Sequence, residues 1–215
     1  MPLKVDLHIH THYSHDSTIT PKELLTFAKK RELDAVAVTD HDTIEGALKM
    51  STDKEFLVIP GIEVTTKNGH VLGLDIHEQI QPMLDVRATI RKIHEAGGIA
   101  IAAHPTALYR GKLRNHMTRE FDAVEVINAS SIPFSFSNRI NRKLAEELNL
   151  PQTAGSDAHY APEIGMAYCE IETNLEKEEI IAAIKSGKTA ACGRAIPWLM
   201  RLRREALNFK KKMKV

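Results

Sequence analysis

Short apolar runs alternate with amphipathic stretches along the whole chain. "LKVDLHI" has period-two character, and "TPKELLTFAKKRE" follows with Thr20 placed to act as N-cap, Pro21 at N1 and Glu23 at N3, a helix-start signature. "DAVAVTD" is almost continuously apolar, as expected of a strand buried on both faces. "FLVIPGIEVTT", "HVLGLDI", "IAIAAHP", "DAVEVIN", "QTAGSD", "YCEIET" and "KTAACG" read as further strands, and "MLDVRATIRKIHEAGG", "SNRINRKLAEELNL" and "LEKEEIIAAIKSG" as helices between them. This alternation predicts βαβ units with parallel strands. Seven or so strands with intervening helices predict an α/β fold, a distorted (β/α)7 TIM-like barrel, somewhat shorter than the about 250 residues of a full eightfold barrel. The barrel is expected over residues 1–195, with a C-terminal basic helix over 196–215.

The chain has 215 residues and an ordinary globular composition. No apolar run approaches the about 20 residues needed to span a bilayer, and "MPLKVDLHIH" lacks the apolar core of a signal peptide. Cys169 and Cys192 are too few and too isolated for a disulfide framework, so a cytoplasmic location is expected. Charge is unevenly placed. From Trp198 onward there are seven Lys/Arg against Glu205 alone, leaving 22 basic and 27 acidic residues in the body. An acidic body suits a cation site, and a basic tail suits a polyanion or a solvated helix face.

The polar residues on the predicted strands carry the candidate chemistry. His8 and His10 stand at i and i+2 at the end of the first strand and point to one face. His15 follows in the loop, Asp40 and His41 end the second strand, Glu63 follows "PG" at a strand start or bend, and His70 opens "HVLGL". His104 ends "IAIAAH", and Asp157 and His159 follow "TAGS". In a βα barrel the C-terminal strand ends converge on one mouth, so the seven histidines among these residues, with Glu63 and Asp157, supply nitrogen and carboxylate ligands for two or three divalent metals. His12 alternates to the opposite face. His94 and His116 read as ordinary surface residues, and His77 lacks a clear strand-end position.

Together "DLHIHTHYSHDS", "VTDHDT", "GIE", "GHVLGL", "AAHP" and "AGSDAH" resemble the PHP family, named for polymerase and histidinol phosphatase, from about Val5 to the end of "KTAACG". The resemblance implies a distorted barrel holding up to three metals, usually zinc, manganese or iron, that hydrolyses phosphoesters. It implies that His8, His10, Glu63 and Asp157 hold one metal, that Glu63 bridges to a second held with His70 and His104, and that His15, His41 and His159 hold a third. Relatives often carry aspartate where His15 stands, which makes Asp16 the fallback. The catalytic set is then His8, His10, Glu63, Asp157 and His159. Asp40 is expected to orient a neighbouring imidazole.

Such a site neutralises phosphate oxygens and generates a metal-bound hydroxide near neutral pH. The chain shows no GxSxG or Walker motif. The expected substrate is a phosphorylated small molecule, with nucleotides or short oligonucleotides preferred over histidinol phosphate. Rival classes are a non-catalytic RNA-binding barrel subunit and an amidohydrolase-type metal enzyme. Arg110, Arg114, Arg139 and Arg194 are candidates to clamp a second phosphate. In the tail, Trp198, Leu202, Ala206, Phe209 and Met213 recur at helical steps, with Leu199 beside the first. The stripe is expected to pack on the barrel with the charges in water. A basic face that steers RNA toward the site is the functional alternative. Membrane binding is not expected, because one tryptophan and one phenylalanine offer little interfacial anchoring.

Overall fold

The structure is a computed structural model. It describes residues 1–51, 55–106 and 113–212, with side chains to Phe209 in the last helix. Among the described residues nine strands form one sheet: β1 (Leu3–Ile9), β2 (Ala35–Val38), β3 (Leu57–Thr66), β4 (Gly69–Leu74), β5 (Ile99–Ala102), β6 (Ala123–Asn128), β7 (Gln152–Gly155), β8 (Ala167–Ile171) and β9 (Thr189–Gly193). Their order is β7-β6-β5-β4-β3-β2-β1-β8-β9. The helices are α1 (Pro21–Lys30), α2 (Glu45–Met50), α3 (Val86–Glu95), α4 (Phe134–Leu148), α5 (Lys177–Lys185) and α6 (Trp198–Lys212).

Local chemistry sets these boundaries, at α1 as the sequence predicts. Thr20 caps α1, with Glu23 reaching back to the Thr20 N–H at 2.9 Å, and Asp85 caps α3 by accepting from the Ala88 amide at 3.0 Å. β2, β5 and β6 are buried along their whole length, which explains their near-continuous apolar sequences.

Strand direction departs from the all-parallel expectation. β1-β2-β3 and β5-β6-β7 are parallel, but β4 is antiparallel to both its neighbours. Only Lys67 and Asn68 separate β3 from β4, too short a link for a parallel crossover, so the two strands form a hairpin. β8 and β9 also run antiparallel, β8 along the N-terminal half of β1.

The sheet curls until β7 returns to β1. There the contact is a single parallel bridge, Ile9 to Ala158, with the Asp157 amide donating to the His8 carbonyl at 2.8 Å and the His10 amide to the Ala158 carbonyl at 3.0 Å. Gly155 is required at this seam: a Cβ there would stand 2.4 Å from the His8 Cβ. Buried Asp6 bridges the same seam, accepting the amides of Ser156 and Gly165 at 2.9 Å each and that of His8 at 3.3 Å. Burial, opposed by these hydrogen bonds, pushes its carboxyl up to about 6. The result is a nearly closed barrel whose mouth gathers the ends of β1, β2, β5, β6 and β7.

Candidate metal centre

At that mouth six imidazoles and three carboxylates converge. His8 and His10, alternate residues of β1 and its end, lie on one face and are fully buried. Glu63 sits inside β3, rather than at a strand start or bend, and its carboxylate is the hub. Oε2 lies 3.2 Å from His8 Nε2, 3.1 Å from His10 Nε2 and 3.2 Å from His41 Nδ1. Oε1 lies 2.8 Å from His70 Nδ1 and 2.9 Å from His104 Nε2. Asp157 Oδ1 is 3.3 Å from His10 Nε2 and 3.5 Å from His159 Nδ1. His104 and Asp157 both have positive φ, 31° and 53°, so the backbone turns sharply at each strand end and aims the side chain over the mouth.

The structure brings together His8, His10, His41, Glu63, His70, His104, Asp157 and His159, all of them expected. In the loop after β1, Asp16 takes the inward position. Its Oδ2 stands 3.1 Å from His159 Nε2 and 3.6 Å from His41 Nε2. His15 is exposed, with its ring centroid 5.6 Å from that of His41. His12 is exposed against Tyr13, and His77 lies 3.9 Å from Asp75 at the surface. His94 pairs with Asp122 at 2.7 Å, and His116 with Asn68 at 3.0 Å. Arg114, Arg139 and Arg194 are exposed, and Arg110 lies outside the described residues.

Two supporting carboxylates differ from expectation. Asp40 does not orient an imidazole: it accepts from the backbone N–H and, at 2.7 Å, from the hydroxyl of Thr11, fixing the loop between His10 and Asp16. The orienting carboxylate is Glu125 on β6, which the sequence reading missed inside the apolar run "DAVEVIN". Glu125 Oε1 lies 2.9 Å from His8 Nδ1, while Oε2 accepts the His104 amide at 2.8 Å and Asn128 Nδ2 at 3.0 Å. A carboxylate inside a strand buried on every residue was the available signal. Glu163 accepts the His159 amide at 3.0 Å and so holds that residue in place.

Burial alone would push the imidazoles of His8 and His10 down. The carboxylates of Glu125, Glu63 and Asp157 outweigh it, raising His8 well above its ordinary value and His10 to about 9. Burial likewise acts to raise Glu63, yet the surrounding histidines hold it well below the ordinary carboxylate range, and His159 does the same for Asp16. At His41 burial wins and takes the ring down to about 3, the neutral, ligand-competent form. His8 Nε2 and His10 Nε2 face each other at 3.0 Å, so a proton on each would place two N–H bonds head to head. A divalent cation accepts both lone pairs and satisfies the carboxylates at once, so the residues fit a metal. Among the described residues three groups have ligand atoms within 4.8 Å of one another: His8, His10, Glu63 and Asp157; His41, Glu63 and His70; and His10, His41 and His159.

The PHP domain family model matches residues 6–104, and the PHP-associated model matches residues 136–189. An uncharacterised protein of Methanocaldococcus jannaschii is 38% identical over 166 residues, covering 71% of this chain and 96% of that protein. The chain belongs to the PHP family. A relative described as a 5'-3' exoribonuclease, from Salmonella typhimurium, is 32% identical over 123 residues, 51% of this chain and 42% of that enzyme. The fold is shared with a two-domain protein from Bacteroides vulgatus described as containing a predicted PHP-like metal-dependent phosphoesterase, at a TM-score of 0.70 and 18% identity over 90% of this chain and 65% of that one.

Proposed function

We propose that this PHP-family chain is a phosphoester hydrolase that works through two or three divalent ions, zinc, manganese or iron, on nucleotides or short oligonucleotides. The observation that carries this reading is the Glu63 carboxylate, which turns one oxygen to His8, His10 and His41 and the other to His70 and His104. A shared carboxylate between two imidazole sets is the arrangement a multinuclear centre needs. His8, His10, Glu63 and Asp157 hold the first ion. Glu63, His70 and His104 hold the second, with His41 beside them. His41, His159 and Asp16 hold the third, with His15 as the outer alternative in the same loop.

Ions bound there supply Lewis acidity toward phosphate oxygens and lower the pKa of water. The protein's own part is positioning. Glu125 takes the His8 Nδ1 proton's hydrogen bond and leaves Nε2 as a lone pair directed into the site. The Asp157 carbonyl receives His159 Nδ1 at 2.9 Å, which directs Nε2 toward Asp16. The exoribonuclease relative supports the nucleic-acid side of the substrate range.

Support for RNA contact through the tail is weaker than the sequence suggests. Of its cations, Arg201 and Arg204 are turned toward the barrel, and the side chains of Lys210, Lys211 and Lys212 lie outside the described residues, as does Lys214. Among the described residues no helix is long and apolar enough to cross a membrane.

Elemental analysis with a phosphoester panel tests the reading. Two or more ions per chain are expected, together with manganese- or zinc-dependent turnover of nucleoside bisphosphates or short RNA above that of histidinol phosphate. Fewer than one ion after reconstitution, or silence on every phosphoester with ions bound, overturns it.

A further inference from the structure

α6 lies against the barrel with its polar side. Arg201, 7% exposed, donates to the carbonyls of Ile196, Ala129 and Ser130 at 3.1, 3.1 and 2.9 Å. Arg204 Nη1 reaches the Ser130 hydroxyl and Glu163 at 3.4 Å each, and Asn208 Nδ2 donates to the Asp16 carbonyl at 2.8 Å. These residues stand at i, i+3 and i+7, one helical face, and tie α6 to the loops after β6, β7 and β1. Trp198, Leu199, Leu202 and Phe209 consequently face away from the barrel, 69, 61, 66 and 65% exposed. The expectation that the apolar stripe packs on the barrel is therefore corrected: the helix is inverted. Met213, the last member of that stripe, lies outside the described residues.

Rolling α6 to bury the stripe would strip Arg201 from its three carbonyls and leave them unsatisfied, at a cost comparable to what the burial would return. Single exposed apolar side chains are ordinary, but four on one helical face are not. The covering partner is indicated by the chemistry around the stripe. Arg203 is exposed on α6, the chain continues through Lys210, Lys211, Lys212 and Lys214, and the segment's one acidic residue is Glu205. A second copy would bring two cationic segments together. Single-stranded nucleic acid would stack on Trp198 and Phe209 but gain little from Leu199 and Leu202. Acyl chains accept all four, and anionic headgroups accept the cations. One tryptophan and one phenylalanine alone would anchor weakly, but Leu199 and Leu202 join them on the free face.

We propose that α6 docks the protein on an anionic lipid surface, with Trp198, Leu199, Leu202 and Phe209 in the interface. This does not depend on the phosphoesterase reading.

Trp198 is the only tryptophan, so its emission reports the docking directly. The full chain is mixed with phosphatidylcholine vesicles, with or without one-quarter phosphatidylglycerol, and followed by co-sedimentation and fluorescence. Sedimentation with the anionic vesicles, a blue shift of Trp198, and weakening of both by high salt are expected. The double variant Leu202→Asp, Phe209→Asp should bind at least tenfold more weakly while keeping the metal content of the parent. Leu199→Glu, equally exposed, serves as the second variant. The proposal is overturned by no binding to anionic vesicles, by binding that survives the double variant, by a blue shift that grows with protein concentration in buffer alongside dimerisation, or by a stripe-dependent shift with single-stranded RNA but not with vesicles.

Discussion

Glu125 Oε1 lies 2.9 Å from Nδ1 of His8, and its second oxygen accepts two N–H groups, from His104 and Asn128. Glu125→Gln would turn an amide NH2 toward those two donors or lose the His8 contact. Metal affinity at the first position should fall about 10- to 100-fold, the usual effect of removing a carboxylate behind a ligating imidazole. Titration of metal-stripped protein with zinc measures this. Unchanged affinity would mean that His8 needs no orientation.

Replacing the hub should do more. Glu63→Gln keeps the shape but removes the charge facing five imidazoles, so at least one ion per chain should be lost. Turnover should drop by about 100- to 1000-fold, the scale expected when roughly 3–4 kcal/mol of charge stabilisation disappears. Elemental analysis alongside kcat checks both parts.

The loop after β1 offers two candidates for one position, and the geometry favours Asp16. Asp16→Asn should remove the ion held with His41 and His159 and leave the one held by His8, His10 and Asp157. His15→Ala should change metal stoichiometry little. The opposite ranking would return the ligand role to His15.

Metal-free protein should lose stability as pH rises above neutrality. The folded-state pKa values of His8 and His10 lie above the unfolded value of 6.5, that of His10 at about 9. The stabilisation from His10 is therefore complete below about pH 6.5 and is lost as pH climbs through about 9, on the order of 3 kcal/mol, and that from His8 is lost in the same direction. Metal-loaded protein should behave oppositely over the same range, because ions replace those protons and bind more tightly as the ligands deprotonate. Thermal unfolding at pH 6.5 and 9, with and without manganese, distinguishes the two trends.

Much of the candidate site was legible because its imidazoles and carboxylates sit where local patterns announce them. HxH on a strand end forces His8 and His10 to one face, and His104 and Asp157 each terminate an apolar run. The capping residue of α1 was readable for the same reason, since its hydrogen bonds are local. Strand direction at β4 was legible only in the length of the Lys67-Asn68 link, which is too short for a crossover; the apolar strand itself looks the same in either direction. Glu125 was hidden by its neighbours on β6, since its partners His8 and His104 are remote in the chain. α6 defeated the pattern altogether. Its apolar spacing is helical, but the three carbonyls that capture Arg201 are long-range features that decide which face turns inward.

The seam between β1 and the residues after β7 has one bridge where other neighbours have ladders. Asp157 stands on one side of that gap, and His8 and His10 on the other, with His10 Nε2 3.3 Å and His8 Nε2 3.7 Å from its Oδ1. Any ion gripped by these three residues spans the gap as a buckle spans the ends of a belt. Closing the hoop and binding such an ion would then be coupled, each strengthening the other.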